Sequence, residues 1–573
     1  MGAVENIITD NLPIWSSAVQ SKSSSGRGTD SKRTLYGVKK LRELILDLAV
    51  RGLLVPQDPN DEPASVFLEN IAAKKEQLIK QKVLKNQKPV PLLTGHEFLS
   101  HIPVGWELTS LSQIAQIQPK NDLSEEINVG FVEMSSISTM YDGSHTQEVR
   151  KWLQVKKGYT HIKNGDIGLA KVTPCFENSK AAIFKGLING FGAATTELHV
   201  ARLFGNQISA DFILYHLKSV RFLSLGKARM TGTSGLKRVP KEYFAGYPIL
   251  LPPEAEQHRI VAKVDELMAL CDTLQQQQED SIQAHETLVE ALLEALTDAG
   301  DVDASQAAWQ RIAEHFDVLF TTEHSIDKLK KTILQLAVRG LLVSQDPNDE
   351  PASVLLEKIA AEKEEQIKGG KIKKSKPLPS IEKAEERVIP TSWEFIRFGA
   401  GINVLNGRAY KKNEMLSEGT PLLRVGNLFT SNDWYYSDLQ LEPQKYIDNG
   451  DLIYAWSASF GPFIWEGGKV IYHYHIWKLD FYDDMSLSKN YVYLYLLNET
   501  AAIKASGNGI TMVHMTKERM EKLSLPVPPL VEQHRIVAKV DELIALCDEL
   551  KDSLQQAQQT QIYLTDAVVE NAL

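Results

Sequence analysis

The chain has 573 residues, of which 43% are hydrophobic and 24% charged, with three cysteines and a formal net charge of -10. That length suits several domains and the composition is globular; no apolar run reaches the roughly 20 residues that a membrane helix needs, so no membrane partner is expected. Three cysteines, Cys175, Cys271 and Cys547, cannot build a disulfide framework, and the two at equivalent repeat positions, Cys271 and Cys547, read as buried helix residues in a reducing cytoplasm.

Residues 1–34 include a Ser-rich run, Ser16 to Thr34, which reads as a flexible N-terminal segment. A helical region, 35–99, follows. Val38, Leu41, Leu44, Ile45 and Leu48 have helical spacing, and the helix stops at Gly52. After the Gln57 to Glu62 turn, Ala64 to Lys80 reads as a shorter helix. The Lys-rich stretch Lys74 to Lys88, like Lys363 to Lys376 later, reads as a solvated linker.

A first insert, 100–255, opens with Ile102-Pro103-Val104-Gly105-Trp106-Glu107 and closes on Tyr247-Pro248-Ile249-Leu250-Leu251-Pro252-Pro253, with short β-like runs and glycine turns between. A central helical region, 256–387, begins with Ile260, Val264, Leu267, Cys271 and Leu274, spaced as a coiled-coil seam. Its helix should run ~60 Å at ~1.5 Å per residue. Its expected partner is an antiparallel helix from about Ile326 to Val338. A second insert, 388–530, opens with Ile389-Pro390-Thr391-Ser392-Trp393-Glu394, and its Asn449-Gly450-Asp451 answers Asn164-Gly165-Asp166 of the first. The last region, 531–573, repeats the seam with Ile536, Val540, Leu543, Cys547 and Leu550. With no further copy behind it, that helix should pair with the one at Val38 to Val50 and close the chain on itself.

Charge is unevenly placed along these regions. From Glu254 to Asp303 there are 13 acidic residues against Arg259 and Lys263, whereas Ser100 to Leu250 holds 17 Lys and Arg against 12 Asp and Glu. The second insert is nearly balanced, 13 against 15 from Val388 to Pro526. A negative total therefore does not exclude a nucleic-acid partner.

Much of the frame is written twice. Leu48 to Val55 and Gln57 to Val66 return at Leu336 to Val343 and Gln345 to Val354, offset by 288, and Glu256 to Leu267 returns at Glu532 to Leu543, offset by 276. The frame kept its letters while the inserts changed theirs. The expected fold class is α+β: two globular α/β domains separated by two long antiparallel coiled-coil helix pairs, with a pseudo-twofold internal repeat.

Duplication, order and the phrases Glu-Gln-His-Arg-Ile-Val-Ala-Lys-Val-Asp-Glu-Leu and Leu-Ala-Val-Arg-Gly-Leu-Leu-Val together resemble the specificity subunit of type I restriction-modification systems, from Leu35 onward. The resemblance implies that the inserts are target recognition domains, each reading half of a bipartite, asymmetric double-stranded DNA site. It implies helices that bind two methylation subunits, with restriction subunits joining that core. It implies no cofactor in this chain, since S-adenosylmethionine, ATP and Mg would serve the partners. Half-sites read from one face lie about one helical turn, roughly 34 Å, apart.

Candidate DNA contacts in the first insert are Ser135, Ser136, Lys171, Thr173, Glu177, Asn178 and Lys180, then Arg229, Thr231, Thr233, Ser234, Lys237 and Arg238. In the second they are Asn406, Arg408, Tyr410, Lys411, Lys412, Arg424, Asn427, Trp456, Ser457, Ser459, His473 and His475, with Thr511 and His514 in the Gly507 to His514 segment. Asn can pair with adenine, Glu can accept from cytosine, and Lys serves guanine or phosphate. For any single residue a solvated loop side chain is an equal alternative; the groups carry the expectation. His473 and His475 read as an i, i+2 pair on one strand face, and without a third ligand at metal spacing no metal site is expected. Gly190-Phe191-Gly192 and Gly507-Asn508-Gly509 read as turns.

The chain has neither the cofactor turn and Asn-Pro-Pro-aromatic motif of a DNA methyltransferase nor a Walker-type loop or carboxylate–lysine cluster, so it is not expected to be an enzyme itself. Two alternatives stand beside the recognition reading. One is a coiled-coil scaffold without DNA readout, against which the unlike inserts weigh. The other is a specificity subunit of a modification-only system, which differs in its partners.

Overall fold

The computed structural model describes residues 3–22, 32–82, 84, 90–93, 102–233, 235–299, 302–374, 377–381, 389–457, 460–506 and 515–573. The chain divides into two compact units, Met1–Ser281 with Ala557–Leu573, and Ile282–Gln556. Two long helices, Glu254–Thr297 and Leu530–Ala572, contribute to both.

In unit one the insert folds into two four-stranded sheets. One has the strand order Glu148–Lys151, Asn128–Val132, Phe191–Ala194, Thr160–Lys163; the other runs Ala115–Ile117, Leu198–Leu203, Ile167–Ala170, Ala181–Ile183. In unit two the same orders return as Tyr435–Ser437, Thr420–Leu423, Val470–Tyr472, Tyr446–Ile447 and as Ile402–Asn406, Ile476–Phe481, Leu452–Ala455, Gly461–Ile464. Even the parallel pairing is kept, between Asn128–Val132 and Phe191–Ala194 in one and between Thr420–Leu423 and Val470–Tyr472 in the other. All four residues of Ile167–Ala170 and of Leu452–Ala455 are buried. A strand covered on both faces reads as a continuous apolar run, which is how these two segments read in sequence.

Each insert is fastened at its neck. The incoming strand Glu107–Thr109 pairs antiparallel with the outgoing Ile249–Leu251, and Glu394–Arg397 pairs with Ser524–Val527. The repeated Glu-Gln-His-Arg phrase then does separate structural jobs. Glu256 accepts the Trp106 indole N–H, and Glu532 accepts that of Trp393. Gln257 accepts from the Ser209 amide at 2.7 Å and donates to the Pro252 carbonyl at 3.0 Å, as Gln533 does with Ser488 and Pro528 at 2.8 and 2.9 Å. Arg259 pairs with Asp61 at 2.6 Å and Arg535 with Asp349 at 2.7 Å, tying the long helix to the Gln-Asp-Pro-Asn-Asp turn. Buried charges and amides need such partners.

The seam residues Ile260, Val264, Leu267, Cys271, Ile536, Val540 and Cys547 are buried as expected, with Leu274, Leu543 and Leu550 packed at the margin. Helix direction differs from expectation. In unit two the helix Glu323–Ala337 runs antiparallel to the second long helix, with Lys330 on Asp548, Lys551 on Asp327 and Gln555 bonded to Glu323. It runs parallel to the end of the first long helix, with Lys328 on Glu290 and Arg339 donating to the Thr297 carbonyl. Unit one repeats this: in the helix Tyr36–Val50, Arg42 meets Asp272, whereas Lys40 reaches Asp566 and the following Arg51 the Leu573 carbonyl. The antiparallel partners are therefore Tyr36–Val50 with the first long helix and Glu323–Ala337 with the second. A single turn after Thr297 would have forced antiparallel packing there. Instead the helix Val302–Glu314 doubles the chain back, burying Ala308 and Ile312 with Leu293 and Leu296, and two reversals restore the direction.

In the N-terminal segment Ala3–Asp10 and Leu12–Ser17 are helical, Trp15 is fully buried, and Val19–Lys22 pairs with Lys32–Leu35, while residues 23–31 of the Ser-rich run lie outside the described residues. The Lys-rich stretches are not wholly solvated. Lys75 donates to the Ser112 carbonyl at 2.7 Å and its repeat Lys363 to that of Gly399 at 2.9 Å, each seating the end of a short helix by its carbonyls.

Candidate nucleic-acid interface

Among the places where the chain passes from one sheet to the other, 195–197 in unit one and 473–475 in unit two are equivalent. Several candidate contacts lie at that crossing, Lys171 and Arg238 against Glu197 in unit one and Arg408, Arg424 and Trp456 against the 473–475 turn in unit two.

In unit one, Lys171 follows Ile167–Ala170 and opens a loop that runs to Lys180. Its backbone is zipped to the hairpin formed by Thr231–Thr233 and Leu236–Arg238: Val239 donates to Lys171 and Thr173 to Lys237, while the Lys237 amide donates to the Thr173 hydroxyl at 3.1 Å. Residues far apart in sequence thus form one surface. Glu177 and Asn178 are exposed on the loop, with Lys227 bonded to Glu177 at 3.1 Å. Arg229, Thr231, Thr233 and Lys237 are exposed on the adjoining arm. Arg229 stands 5.7 Å from the Tyr243 ring. Other candidates are already occupied. Arg238 grips Glu197 through two bonds of 2.9 and 2.8 Å and holds its carboxyl below the usual range. Lys180 donates to the Met134 carbonyl, which fixes the neighbouring loop bearing the exposed Ser135 and half-buried Ser136.

In unit two, Asn406 ends a strand and Gly407 passes so close to the His473 carbonyl that a Cβ would stand 2.3 Å from its oxygen. Arg408 bonds Glu414 at 2.7 Å, and the exposed Lys411 and Lys412 follow. Burial pushes the Tyr410 hydroxyl up to about 12. Arg424 stacks 4.4 Å from the Tyr435 ring, and Asn427 caps the backbone of Arg424 while donating to the Asp433 carbonyl. Asn427 is thus a turn-former. Trp456 stacks on Trp477 and donates its indole N–H to the Tyr474 carbonyl; Ser457 is half-buried beside it.

His473 and His475 do not lie on a strand. They occupy the crossing turn between Val470–Tyr472 and Ile476–Phe481, with rings 4.9 Å apart. A turn was required because the two strands belong to different sheets. Burial, then His475, then Arg424 push the His473 imidazole down to about 4, so it is neutral at pH 7. Likewise Gly190 is a turn, whereas Phe191 and Gly192 begin a strand. Ser234, Ser459, Thr511, His514 and the Gly507 to Gly509 turn lie outside the described residues.

The sequence reading missed Glu197, the partner of Arg238, and Tyr435, the platform beneath Arg424. Neither carries a motif. Only the equivalence of the two crossings, which share no letters, gives Glu197 the position in unit one that the His473 turn has in unit two.

The family of the Type I restriction modification DNA specificity domain matches residues 103–284 and 390–558, once over each insert and the greater part of the long helix that follows it. The chain belongs to this specificity-subunit family. It is 46% identical over the full length of both chains to the type I restriction enzyme EcoAI specificity subunit of Escherichia coli, and 44% identical, again end to end, to the EcoEI specificity subunit of the same organism. A solved chain from work on complex assembly in the type I R-M system overlays with a TM-score of 0.48 at 18% identity, covering 82% of this chain and 98% of that one. As in the family, the inserts of this specificity subunit are target recognition domains. No described helix is long and apolar enough to cross a membrane.

Proposed function

We propose that this specificity subunit reads a bipartite, asymmetric DNA sequence, one half through each crossing edge, and that its helical frame docks two methylation subunits and, through them, restriction subunits. The observation that carries the reading is the pair of identical sheet topologies bearing unlike side chains at the same edge. Unit one offers hydroxyls, Lys171, Glu177, Asn178 and Lys237; unit two offers Arg424, Lys411, Lys412 and an aromatic turn. Hydrogen-bonding groups of these kinds discriminate base edges, while lysine and arginine supply the salt-dependent hold on phosphates. The chain itself contributes recognition and no chemistry. S-adenosylmethionine, ATP and Mg belong to the partners, which flip and test a base in each half-site.

The test is to map methylated adenines in DNA of cells expressing this chain with its methylation partner, against cells lacking it. A bipartite, non-palindromic motif that vanishes with the chain is expected. A partner shown to be active that leaves no such motif overturns the reading.

A further inference from the structure

Lys218 is the last residue of the helix Ala210–Lys218 and is 5% exposed. The next residue, Ser219, ends that helix and caps the following one, Val220–Ala228, by accepting from the Phe222 amide while its hydroxyl donates to the His216 carbonyl. Lys218 therefore sits at a rigid elbow. Beyond the elbow the second helix carries Lys227 and leads to Arg229 and the hairpin. Across from it lies the Lys171 to Lys180 loop. The Lys218 ammonium donates to the main-chain carbonyl of Ser179 at 2.8 Å, at a residue held in the left-handed region with φ of 59°.

A buried ammonium on a neutral carbonyl is an expensive arrangement, since desolvation is offset by a single uncharged acceptor. Burial pushes the Lys218 amine down to about 7, and the one charge that opposes this is Asp142. Other titratable groups on the surrounding elements are engaged elsewhere. Lys180 serves the Met134 carbonyl, and His216, pushed down to about 4 by burial, bonds Leu250; Tyr215 is buried, and Arg221 faces Asp47. A methionine would fill the same space without that cost. Local rules broken at a cost in stability are expected at functional positions.

We propose that Lys218 is a positioning residue for the half-site read by unit one: its ammonium fixes the Ser179 carbonyl, and so sets the loop bearing Glu177 and Asn178 against the arm bearing Lys227, Arg229 and the hairpin. The proposal rests on the reading that unit one contacts DNA, and deepens it. Lys218 touches no base itself. It makes recognition of one half-site depend on a charge that is lost as pH rises through neutrality, while His473 at the crossing turn of unit two is already neutral there.

The experiment uses the full-length chain assembled with its methylation partner, and duplexes altered in one half-site at a time. Discrimination is the ratio of affinities for cognate and altered duplex, measured from pH 6 to 9. For wild type, discrimination at the unit-one half-site should fall about tenfold across that range, the worth of roughly one charged hydrogen bond, while the other half-site holds constant. Lys218→Met should show the reduced discrimination at every pH, with a flat profile and a thermal stability no lower than that of wild type. A pH-independent wild-type ratio, or a variant that discriminates as wild type does, overturns the proposal. If the variant fails to fold, the wild-type profile alone decides. Failure of the underlying reading looks different: alterations in neither half-site would change affinity at any pH.

Discussion

Trp106 donates its indole N–H to the buried carboxylate of Glu256 at 3.0 Å, and Trp393 repeats the bond to Glu532 at 3.0 Å. In both copies the second carboxylate oxygen has no hydrogen-bond partner among the described residues, and burial raises both carboxyls above the ordinary value. A raised folded value means stability that is complete below the unfolded value near 4.5 and lost as pH rises through the folded one. The Glu256→Gln, Glu532→Gln double variant should therefore be at least as stable as wild type at pH 7. Its melting temperature should rise less than that of wild type on acidification from pH 7 to 5. Parallel profiles would refute this. Trp106→Phe should cost about 1–3 kcal/mol in denaturant titration, the penalty of an orphaned buried acceptor.

Gln257 and Gln533 are 1% and 0% exposed, and each joins its long helix to its own insert. Replacing either with alanine strands a buried amide donor and a carbonyl, at about 2–3 kcal/mol. Hydrogen exchange should localise the effect. Gln257→Ala loosens the Ser209 amide and leaves that of Ser488 protected, and Gln533→Ala does the reverse.

Alanine at Lys171, Glu177 and Asn178 together should relax or abolish one half of the methylated motif and leave the other half intact. Methylome sequencing reads both at once. Equal loss of the two halves in a folded protein would contradict independent reading by the two units.

Gly407→Ala is the counterpart in unit two. Its new Cβ meets main-chain oxygens of Tyr472 and His473 at 2.6 and 2.3 Å, which cannot swing aside as a side chain would. The variant should lose discrimination at the second half-site only, with a stability cost of about 1–3 kcal/mol. Unchanged discrimination at that half-site would separate this loop from recognition.

The frame was legible because its letters repeat and its apolar spacing is helical: Val38, Leu41, Ile45, Ile260 and Val264 are all core. Helix direction was not legible, since it depends on how many times the chain turns between Thr297 and Glu323. The candidate loops were found by residue chemistry, and unit one does bring Lys171 to Lys180 against Thr231 to Arg238. Their division of labour was invisible. Arg238, Lys180 and Asn427 look like readers in sequence, yet each is bound to its own protein, because a donor's partner is set by strands that meet only after folding.

The antiparallel pairing of Glu107–Thr109 with Ile249–Leu251, and of Glu394–Arg397 with Ser524–Val527, brings the two ends of each insert side by side. Whatever chain is strung between them, the neighbouring helix meets the same two-stranded plug, the same tryptophan and the same glutamine. An insert cut from another protein at these strands could be grafted without lengthening or bending the helix that follows. New targets could then be acquired by exchanging whole cassettes, at a junction where a recombination error of a few residues falls within a strand rather than in the helical frame.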